Sequence, residues 1–294
     1  MDNLKFKGVG VAIITPFRVD GSIDFSALEK LINFQIKNGT NYIVALGTTS
    51  EAATLTTDEK QAVVDFVIEI INKRVPLVVG CGGNNTAEIV NQLRDYDRPE
   101  IDAILSVCPY YNKPNQTGLF EHFKAIANAT KLPIILYNVP GRTASNLTAE
   151  TTLKLAKKFK NIIGIKEASG DFTQMMQIVK NKPKDFLMIS GDDGTTLPLI
   201  ALGFEGVISV VSNAYPAEFA KVVQLSLQGK FDEACTMHYK LIDIINSLFE
   251  EGNPAGVKAH MKHLGLIENS LRLPLVPVSE KLETKISQLC DQLK

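Results

Sequence analysis

Lys166 is the residue whose type and position most strongly suggest chemistry. It ends an apolar run within the segment Ile162–Gly170, IIGIKEASG, which is typical of a buried strand that leaves the core. Low dielectric disfavours a charged ammonium, so a lysine held there is expected to be neutral more often than one in water. The neutral amine is the nucleophile that forms a Schiff base with a carbonyl substrate. Taken by itself, this stretch also fits a lysine that reaches the surface or pairs with a carboxylate.

Further polar residues follow other apolar runs of the chain. They are Gly47–Glu51 (GTTSE), Tyr110 and Tyr111 (CPYYNKP), Tyr137 and Arg142 (YNVPGRT), and Gly191 (SGDDG). The first segment offers hydroxyls and backbone N–H groups for an anion, and the glycine lets backbone approach a ligand closely. Each could instead be a packing tyrosine, a helix cap or a surface ion pair. Their joint appearance after successive runs favours one shared site.

The elements that must position these residues alternate along the chain. Amphipathic stretches such as Phe25–Asn38, Asp58–Asn72 and Ala149–Phe159 separate short apolar runs. The runs are Val9–Thr15, Tyr42–Leu46, Leu77–Gly80, Ala103–Val107, Ile134–Tyr137, Ile162–Lys166, Leu187–Ser190 and Val207–Ser209. Eight buried strands, each followed by a helix, predict a parallel sheet closed into an α/β (β/α)₈ TIM barrel, whose sites form at the C-terminal ends of the strands. A doubly wound open sheet is the alternative.

The remaining residues predict an extension of the barrel. We expect residues 1–228 to form the barrel and residues 229–294 to form a C-terminal helical extension packed on it as one unit. Its helices are predicted at Phe231–Glu250, Ala255–Leu264 and Glu280–Leu293, which prolines separate. Within the barrel, Thr57, Thr117 and Thr148 are predicted to cap helices, and Asn38-Gly39 is predicted to end one.

Composition narrows the class of protein and partner. The chain has 294 residues, 45% of them hydrophobic, and a formal net charge of −1, which provides no basic field for nucleic acid or an anionic membrane. Cys81, Cys108, Cys235 and Cys290 are widely separated, as expected of reduced thiols in a cytoplasmic protein. No apolar segment approaches the ~20 residues of a membrane span. Small neutral or anionic metabolites are therefore the expected partners.

The motifs GTTSEAATLT, PYYNKP, YNVPGRT, GIKEASGD, ISGDD and GVISV extend over essentially the whole chain. Together they resemble the 4-hydroxy-tetrahydrodipicolinate synthase (dihydrodipicolinate synthase) family of pyruvate-dependent class I aldolases and lyases. The resemblance implies a lyase that condenses pyruvate with L-aspartate 4-semialdehyde in lysine and diaminopimelate biosynthesis. It implies no cofactor beyond the covalent pyruvate imine, and no metal. Ser50 departs from the motif at a position that is often glycine.

The resemblance also implies the catalytic residues. Lys166 would form the imine with pyruvate, and Tyr137 would donate and accept protons beside it. Thr49 and Tyr111 would complete a hydroxyl relay, with Tyr111 reaching in from a neighbouring subunit. A homotetramer built as a dimer of dimers is therefore expected.

Substrate binding is implied at five positions. Thr48 and Thr49 would hold the pyruvate carboxylate, while Gly191 and Ile208 would lie beside the imine. Arg142 would bind the carboxylate of the semialdehyde. A guanidinium fork suits that task because it makes two parallel hydrogen bonds to a carboxylate.

Many relatives are inhibited by free lysine at a cleft between subunits. The matching positions here are Ala53, Thr57, Lys60, Gly82, Asn84, Glu88 and Tyr110. Thr57 and Lys60 stand where strongly inhibited enzymes tend to carry histidines. The sequence therefore predicts weak inhibition by lysine or none.

Other functions fit the sequence less well. A metal-dependent aldolase needs converging ligands, but His122, His238, His260 and His263 fall on predicted helices. The GCGG at 80–83 matches neither nucleotide-binding spacing, and a barrel that only binds would not need Lys166 together with the tyrosines. The nearest alternative is a sugar-acid lyase of the N-acetylneuraminate type. It would share Lys166 and Tyr137, but such lyases resemble this chain less at Arg142, Tyr110-Tyr111 and Thr48-Thr49.

Overall fold

Eight parallel strands close into a barrel in sequence order, with β1 paired to β8. The computed structural model describes residues 3–293. The strands are β1 Gly8–Ala12, β2 Tyr42–Ala45, β3 Leu77–Gly80, β4 Ala103–Val107, β5 Ile134–Asn138, β6 Ile162–Glu167, β7 Leu187–Ser190 and β8 Gly206–Ser209. The prediction of a (β/α)₈ barrel is confirmed, and the open sheet is excluded because no strand edge is left between β1 and β8.

Helices follow the strands and continue beyond them. They are α1 Phe25–Lys37, α2 Thr57–Ile71, α3 Thr86–Gln92, α4 Gln116–Ala129, α5 Pro140–Thr143, α6 Ala149–Lys158, α7 Phe172–Asn181, α8 Thr196–Ala201, α9 Pro216–Leu227, α10 Phe231–Ser247, α11 Ala255–His263 and α12 Glu280–Leu293. α10 lies against α8 and α9, and α12 lies against α10 and α11. The division at residue 228 stays a prediction, and the ends of the two predicted ranges, residues 1–2 and 294, lie outside the described residues.

The first strand is shorter than the apolar run that predicts it. The run continues to Thr15, but β1 ends at Ala12. The side chain of Asn213 lies beside the continuing chain, where it accepts a hydrogen bond from the Ile14 N–H at 3.0 Å and donates to the Ala12 carbonyl at 2.9 Å. The Asn213 amide thus bonds one side of the chain beyond β1, while on the other side the Ile13 N–H still donates to the Val44 carbonyl of β2. An apolar pattern does not reveal this.

Two predicted helix caps are wrong by one or two residues. Thr56, not Thr57, caps α2 in a capping box with Glu59. Asn115, not Thr117, caps α4. In both cases the side-chain oxygen that accepts the early N–H belongs to the residue just before the helix. Thr148 caps α6 as predicted.

A bulge in β6 determines which side chains face the barrel interior. Ile134 pairs with Ile162 and Ile135 with Gly164, so Ile163 is an extra residue on β6. An extra residue shifts the alternation of side chains beyond it by one position. Ile163 packs in the interior cluster, whereas Ile165 packs in the outer layer between strands and helices. Lys166, the next residue, is thereby directed into the barrel.

Candidate active site

A cavity of about 640 Å³ opens at the C-terminal ends of the strands. Its lining combines residues from the barrel loops with residues from the C-terminal extension. Among them are Thr48, Thr49, Tyr110, Tyr137, Arg142, Lys166, Gly191 and Asn253. The cavity is therefore the place where most of the residues singled out from the sequence meet.

Lys166 and Tyr137 are neighbours across the pair of strands β5 and β6. Their backbones are in register, and the Lys166 Nζ atom lies 4.3 Å from the centre of the Tyr137 ring. Both side chains are buried, with exposed fractions of 5% and 7%. Within residues 3–293 the Lys166 amine makes no hydrogen bond and no ion pair. Apart from its contact with the Tyr137 ring, this buried amine has no partner among the described residues.

Gly191 lines the cavity beside the lysine side chain, whereas Ile208 does not line it. A Cβ atom at Gly191 would lie 2.7 Å from the Ala168 Cβ and 3.1 Å from the Lys166 Cε, so a larger residue would press on the lysine side chain. Ile208, on β8, is 1% exposed and belongs to the interior cluster that contains Tyr137. The glycine at position 191 therefore leaves the space that the Lys166 side chain occupies.

The loop after β2 places two threonines differently. Thr48 and Thr49 lie in a short 3₁₀ turn between Leu46 and Glu51, which adopt left-handed conformations with φ of 56° and 55°. Thr49 is buried and Thr48 is exposed. The Thr49 hydroxyl accepts a hydrogen bond from the Asn253 side chain at 3.0 Å.

Glu51 fixes the end of this loop through a fully buried ion pair. Lys258 Nζ lies 2.5 Å from its Oε1 atom, and neither side chain has exposed surface. Burial lowers the pKa of Lys258, against the opposing attraction of Glu51. The Lys258 amine also donates to the Ser270 carbonyl at 2.9 Å, and the Arg272 N–H donates to the Glu51 Oε2 atom at 3.1 Å. The C-terminal extension therefore holds the loop that carries the threonines.

Arg142 lies in the short helix α5, directly after β5. Its side chain is exposed at the cavity wall, and its Nη2 atom donates to the backbone carbonyl of Asn253 at 3.3 Å. This is the one hydrogen bond that the guanidinium makes within residues 3–293, so most of its donors remain open to a ligand.

Tyr110 and Tyr111 differ in their exposure and in their relation to the cavity. Tyr110 is 43% exposed and lines the cavity, whereas Tyr111 is 88% exposed and does not line the cavity of its own chain. Tyr111 has a φ of 71°, a strained conformation for a bulky residue. The loop is tied to the turn after β3 by a hydrogen bond from the Asn112 side chain to the Asn84 carbonyl at 3.0 Å.

Four of the seven positions matched to a lysine site line the cavity, and three do not. Ala53, Lys60, Gly82 and Tyr110 line the same cavity as Lys166, whereas Thr57, Asn84 and Glu88 lie outside its lining. Lys60 is half-buried and makes no ion pair within residues 3–293.

Sequence reasoning missed the supports of the site. Glu167 is buried behind Lys166, where it accepts hydrogen bonds from Asn138, Gln174 and the Ser169 N–H, and burial raises its pKa. Asn253 and the Glu51–Lys258 pair were missed as well. The motif GIKEASG contains Glu167 and thus offers a signal for it. Asn253 and Lys258 lie more than 200 positions from their partners, and no local pattern indicates them.

The histidines do not form a metal site. Within residues 3–293 no group of three His, Cys, Asp or Glu side chains is arranged to hold a metal ion. His260 is instead buried between the Tyr215 hydroxyl at 3.0 Å and the Ser247 hydroxyl at 2.8 Å. All four cysteines are free thiols. None of the helices described within residues 3–293 is long and apolar enough to cross a membrane.

Comparison with known proteins gives a consistent result. Residues 5–293 match the model of the Dihydrodipicolinate synthetase family. The chain is 53% identical over 293 residues to 4-hydroxy-tetrahydrodipicolinate synthase of Parabacteroides distasonis, covering 100% of this chain and 99% of that one.

Solved structures agree with this match. A monomeric dihydrodipicolinate synthase variant superposes with a TM-score of 0.96 at 39% identity, over 99% of this chain and 98% of that chain. The dihydrodipicolinate synthase of Acinetobacter baumannii complexed with pyruvate gives a TM-score of 0.95 at 40% identity, over 98% of each chain. With the fold and the whole length of the sequence in agreement, the chain belongs to the dihydrodipicolinate synthetase family.

Proposed function

We propose that the chain is a class I aldolase-type lyase that condenses pyruvate with L-aspartate 4-semialdehyde to give 4-hydroxy-tetrahydrodipicolinate, a step of lysine and diaminopimelate biosynthesis. The observation that carries the proposal is the Lys166 amine, buried in the cavity 4.3 Å from the centre of the Tyr137 ring, with no hydrogen bond and no ion pair within residues 3–293. The names of the relatives support this reaction over that of a sugar-acid lyase.

The covalent sequence follows from the chemistry of an amine and a keto acid. The Lys166 amine adds to the C2 carbonyl of pyruvate, and loss of one water gives the imine. Removal of a methyl proton turns the imine into an enamine, whose carbon attacks the aldehyde carbon of the second substrate. The amino group of that substrate then attacks C2 and closes the ring, which releases Lys166. One water leaves overall, so no cofactor other than the covalent imine is required.

Proton transfers accompany these steps, and hydroxyl groups can carry them because each both donates and accepts. We assign Tyr137 as the proton donor and acceptor, with Thr49 and the Tyr111 of a neighbouring subunit completing the relay. The 88% exposure of Tyr111 supports its assignment to a neighbour's site. Activity then requires at least a dimer, and we expect a homotetramer. An isolated subunit that is fully active at high dilution, with rates and sedimentation measured together, would contradict this assignment.

Arg142 and the threonines are the proposed binding groups. Thr48 and Thr49 receive the pyruvate carboxylate, Gly191 and Ile208 border the imine, and Arg142 receives the carboxylate of the semialdehyde. The open donors of the guanidinium and its place on the cavity wall support this role. The seven positions from Ala53 to Tyr110 remain a candidate lysine site.

A labelling experiment tests the central step. The protein is incubated with pyruvate and borohydride, which reduces an imine to a stable amine, and its peptides are analysed by mass. We expect one pyruvate-derived addition, on the Lys166 peptide. A label on another lysine, or undiminished turnover by Lys166→Ala, would show that the assigned mechanism is wrong.

A further inference from the structure

The residues that follow Tyr137 and Lys166 are hydrogen-bonded to each other. Asn138 on β5 is in register with Glu167 on β6, directly after the pairing of Tyr137 with Lys166. Side chains alternate along a strand, so Asn138 and Glu167 face the outer side of the barrel, toward the helices. Both are fully buried, and Asn138 Nδ2 donates to the Oε1 and Oε2 atoms of Glu167 at 3.2 and 3.1 Å. A polar contact behind the cavity thus joins the two strands that carry its reactive side chains.

The hydrogen bonds around this contact fix the direction of each group. The Leu147 N–H donates to Asn138 Oδ1 at 2.9 Å, so the Nδ2 atom of the amide must face the carboxylate. Glu167 also accepts from the Ser169 N–H at 2.8 Å and from Gln174 Nε2 at 3.2 Å. An ionised carboxylate can only accept hydrogen bonds, which suits a site surrounded by N–H donors. An amide at position 167 would set one N–H group against another.

We propose that Asn138 and Glu167 are positioning residues, an inference that rests on the proposed function. Their contact holds Tyr137 and Lys166 at the separation that proton transfer to and from the pyruvate imine requires. The extra residue Ile163 interrupts the pairing of β5 with β6, and a bulge disrupts the ladder locally. The contact between Asn138 and Glu167 lies beyond this bulge, where it fixes the alignment of the two strands at their C-terminal ends.

Deuterium exchange into pyruvate measures this proton transfer without the second substrate. A methyl proton of the imine leaves to a base and gives the enamine. A deuteron from D₂O then returns to the same carbon, and hydrolysis releases deuterated pyruvate and the free Lys166 amine. Borohydride trapping measures how much imine is present. The exchange rate per trapped imine therefore reports the placement of Tyr137 beside the imine, separately from the extent of imine formation.

Exchanging the two side chains between the strands is the central comparison. Glu167→Gln should lower the exchange rate per imine about 10- to 100-fold, because small misplacements of reacting groups cost rates of that order. Asn138→Asp should lower it at least as much, since it sets two carboxylates against each other. The double variant Asn138→Asp/Glu167→Gln restores one acceptor and one donor across the strands once Asn146 and Gln174 turn their amides. We expect it to recover most of the loss, and kcat with the semialdehyde to follow the same order.

Two control variants separate positioning from stability. Glu205→Gln changes a carboxylate at the opposite end of the barrel, where Glu205 accepts from the Met188 N–H at 2.8 Å and pairs with Lys182 at 2.8 Å. Gln174→Leu removes a donor to Glu167 from α7 but leaves the contact between the strands. Both variants should lower the thermal midpoint in calorimetry and leave the exchange rate per imine unchanged.

The outcomes that contradict the inference are distinct from those that contradict the proposed function. An unchanged exchange rate per imine in Glu167→Gln, or a double variant that recovers nothing, would overturn the positioning role. If Glu167→Gln does not fold, Glu167→Asp gives the same test, because it keeps the charge but shortens the reach to Asn138. A wild type that pyruvate and borohydride do not label on Lys166 rejects the proposed function and this inference with it, whereas a labelled wild type with insensitive variants rejects the positioning role alone.

Discussion

Lys166 and Lys258 are both buried lysines that lie against an aromatic ring, and they differ in what else they touch. Each Nζ atom is 4.3 Å from a ring centre, that of Tyr137 for Lys166 and that of Phe17 for Lys258. Lys258 is paired with Glu51 and bonded to the Ser270 carbonyl. Lys166 has no ion pair or hydrogen bond within residues 3–293. We therefore expect that an ion-pair or hydrogen-bond partner, and not burial alone, distinguishes a structural lysine from the proposed nucleophile.

The same contrast separates two arginines. Arg272 binds both carboxylate oxygens of Glu59, at 2.5 and 2.7 Å, and also the carbonyls of Gly21 and Thr54. Arg142 donates once, to the Asn253 carbonyl. A cation whose donors are all satisfied inside the protein joins two segments of the chain, whereas a cation with open donors at a cavity can bind a substrate. The following experiments test this rule.

Substituting the two lysines by methionine, which has a similar volume, should produce opposite phenotypes. Lys166→Met removes the proposed nucleophile, so we expect kcat to fall at least about 10,000-fold, ~5.4 kcal/mol in the barrier. Its thermal midpoint should not fall, because an unpaired buried amine is replaced by an apolar chain. Steady-state assays measure kcat, and calorimetry measures the thermal midpoint. A clear fall in the thermal midpoint of Lys166→Met would indicate that Lys166 has a structural role instead.

Lys258→Met should chiefly affect stability. It leaves Glu51 as a buried carboxylate without its cation, which costs about 3–5 kcal/mol in the free energy of unfolding. Glu51→Gln combined with Lys258→Met removes both charges and should recover part of that loss in chemical denaturation. If Lys258→Met unfolds no more easily than Lys166→Met, the contrast between the two lysines is wrong.

Arg142→Ala should reduce use of one substrate only. Loss of a bidentate charged contact is expected to cost ~2–4 kcal/mol in transition-state binding, about 30- to 1,000-fold in kcat/KM for the semialdehyde. Arg142→Lys keeps the charge but not the fork, so it should restore only part of the loss. Pyruvate imine formation, followed by borohydride trapping, should change little in either variant. An equal loss for both substrates would indicate a structural role for Arg142.

The sequence predicted the features that depend on residues close together in the chain. Apolar runs gave the strands to within a residue at most ends, and motifs at those ends named Lys166, Tyr137 and Arg142. The sequence could not predict which polar groups find a hydrogen-bond or ion-pair partner inside the protein. The partners of Glu51, Thr49 and Ile14, for example, come from positions about 200 residues away. The bulge at Ile163 that directs Lys166 inward also depends on pairing with β5, not on the composition of β6.

Lys60 is a third lysine of interest, and its substitution is expected to have the smallest effect of those considered. It is half-buried on the wall of the same cavity and has no ion pair within residues 3–293, so its charge is open to a ligand. Free lysine carries two ammonium groups. Two like charges ~5 Å apart cost about 0.8 kcal/mol at the dielectric of water and about 3 kcal/mol at an effective value of ~20, a weakening of about 4- to 200-fold.

Inhibition by lysine should therefore be weak or absent in the wild type and stronger once the charge is removed. Initial rates at saturating pyruvate are followed while lysine is raised to ~10 mM, a range that detects dissociation constants near 1 mM. Lys60→His and Lys60→Met should both gain sensitivity, because each removes a permanent positive charge. Half-inhibition of the wild type well below ~1 mM would contradict the prediction. A gain in Lys60→His without one in Lys60→Met would show that a histidine contact, and not relief of repulsion, controls the site.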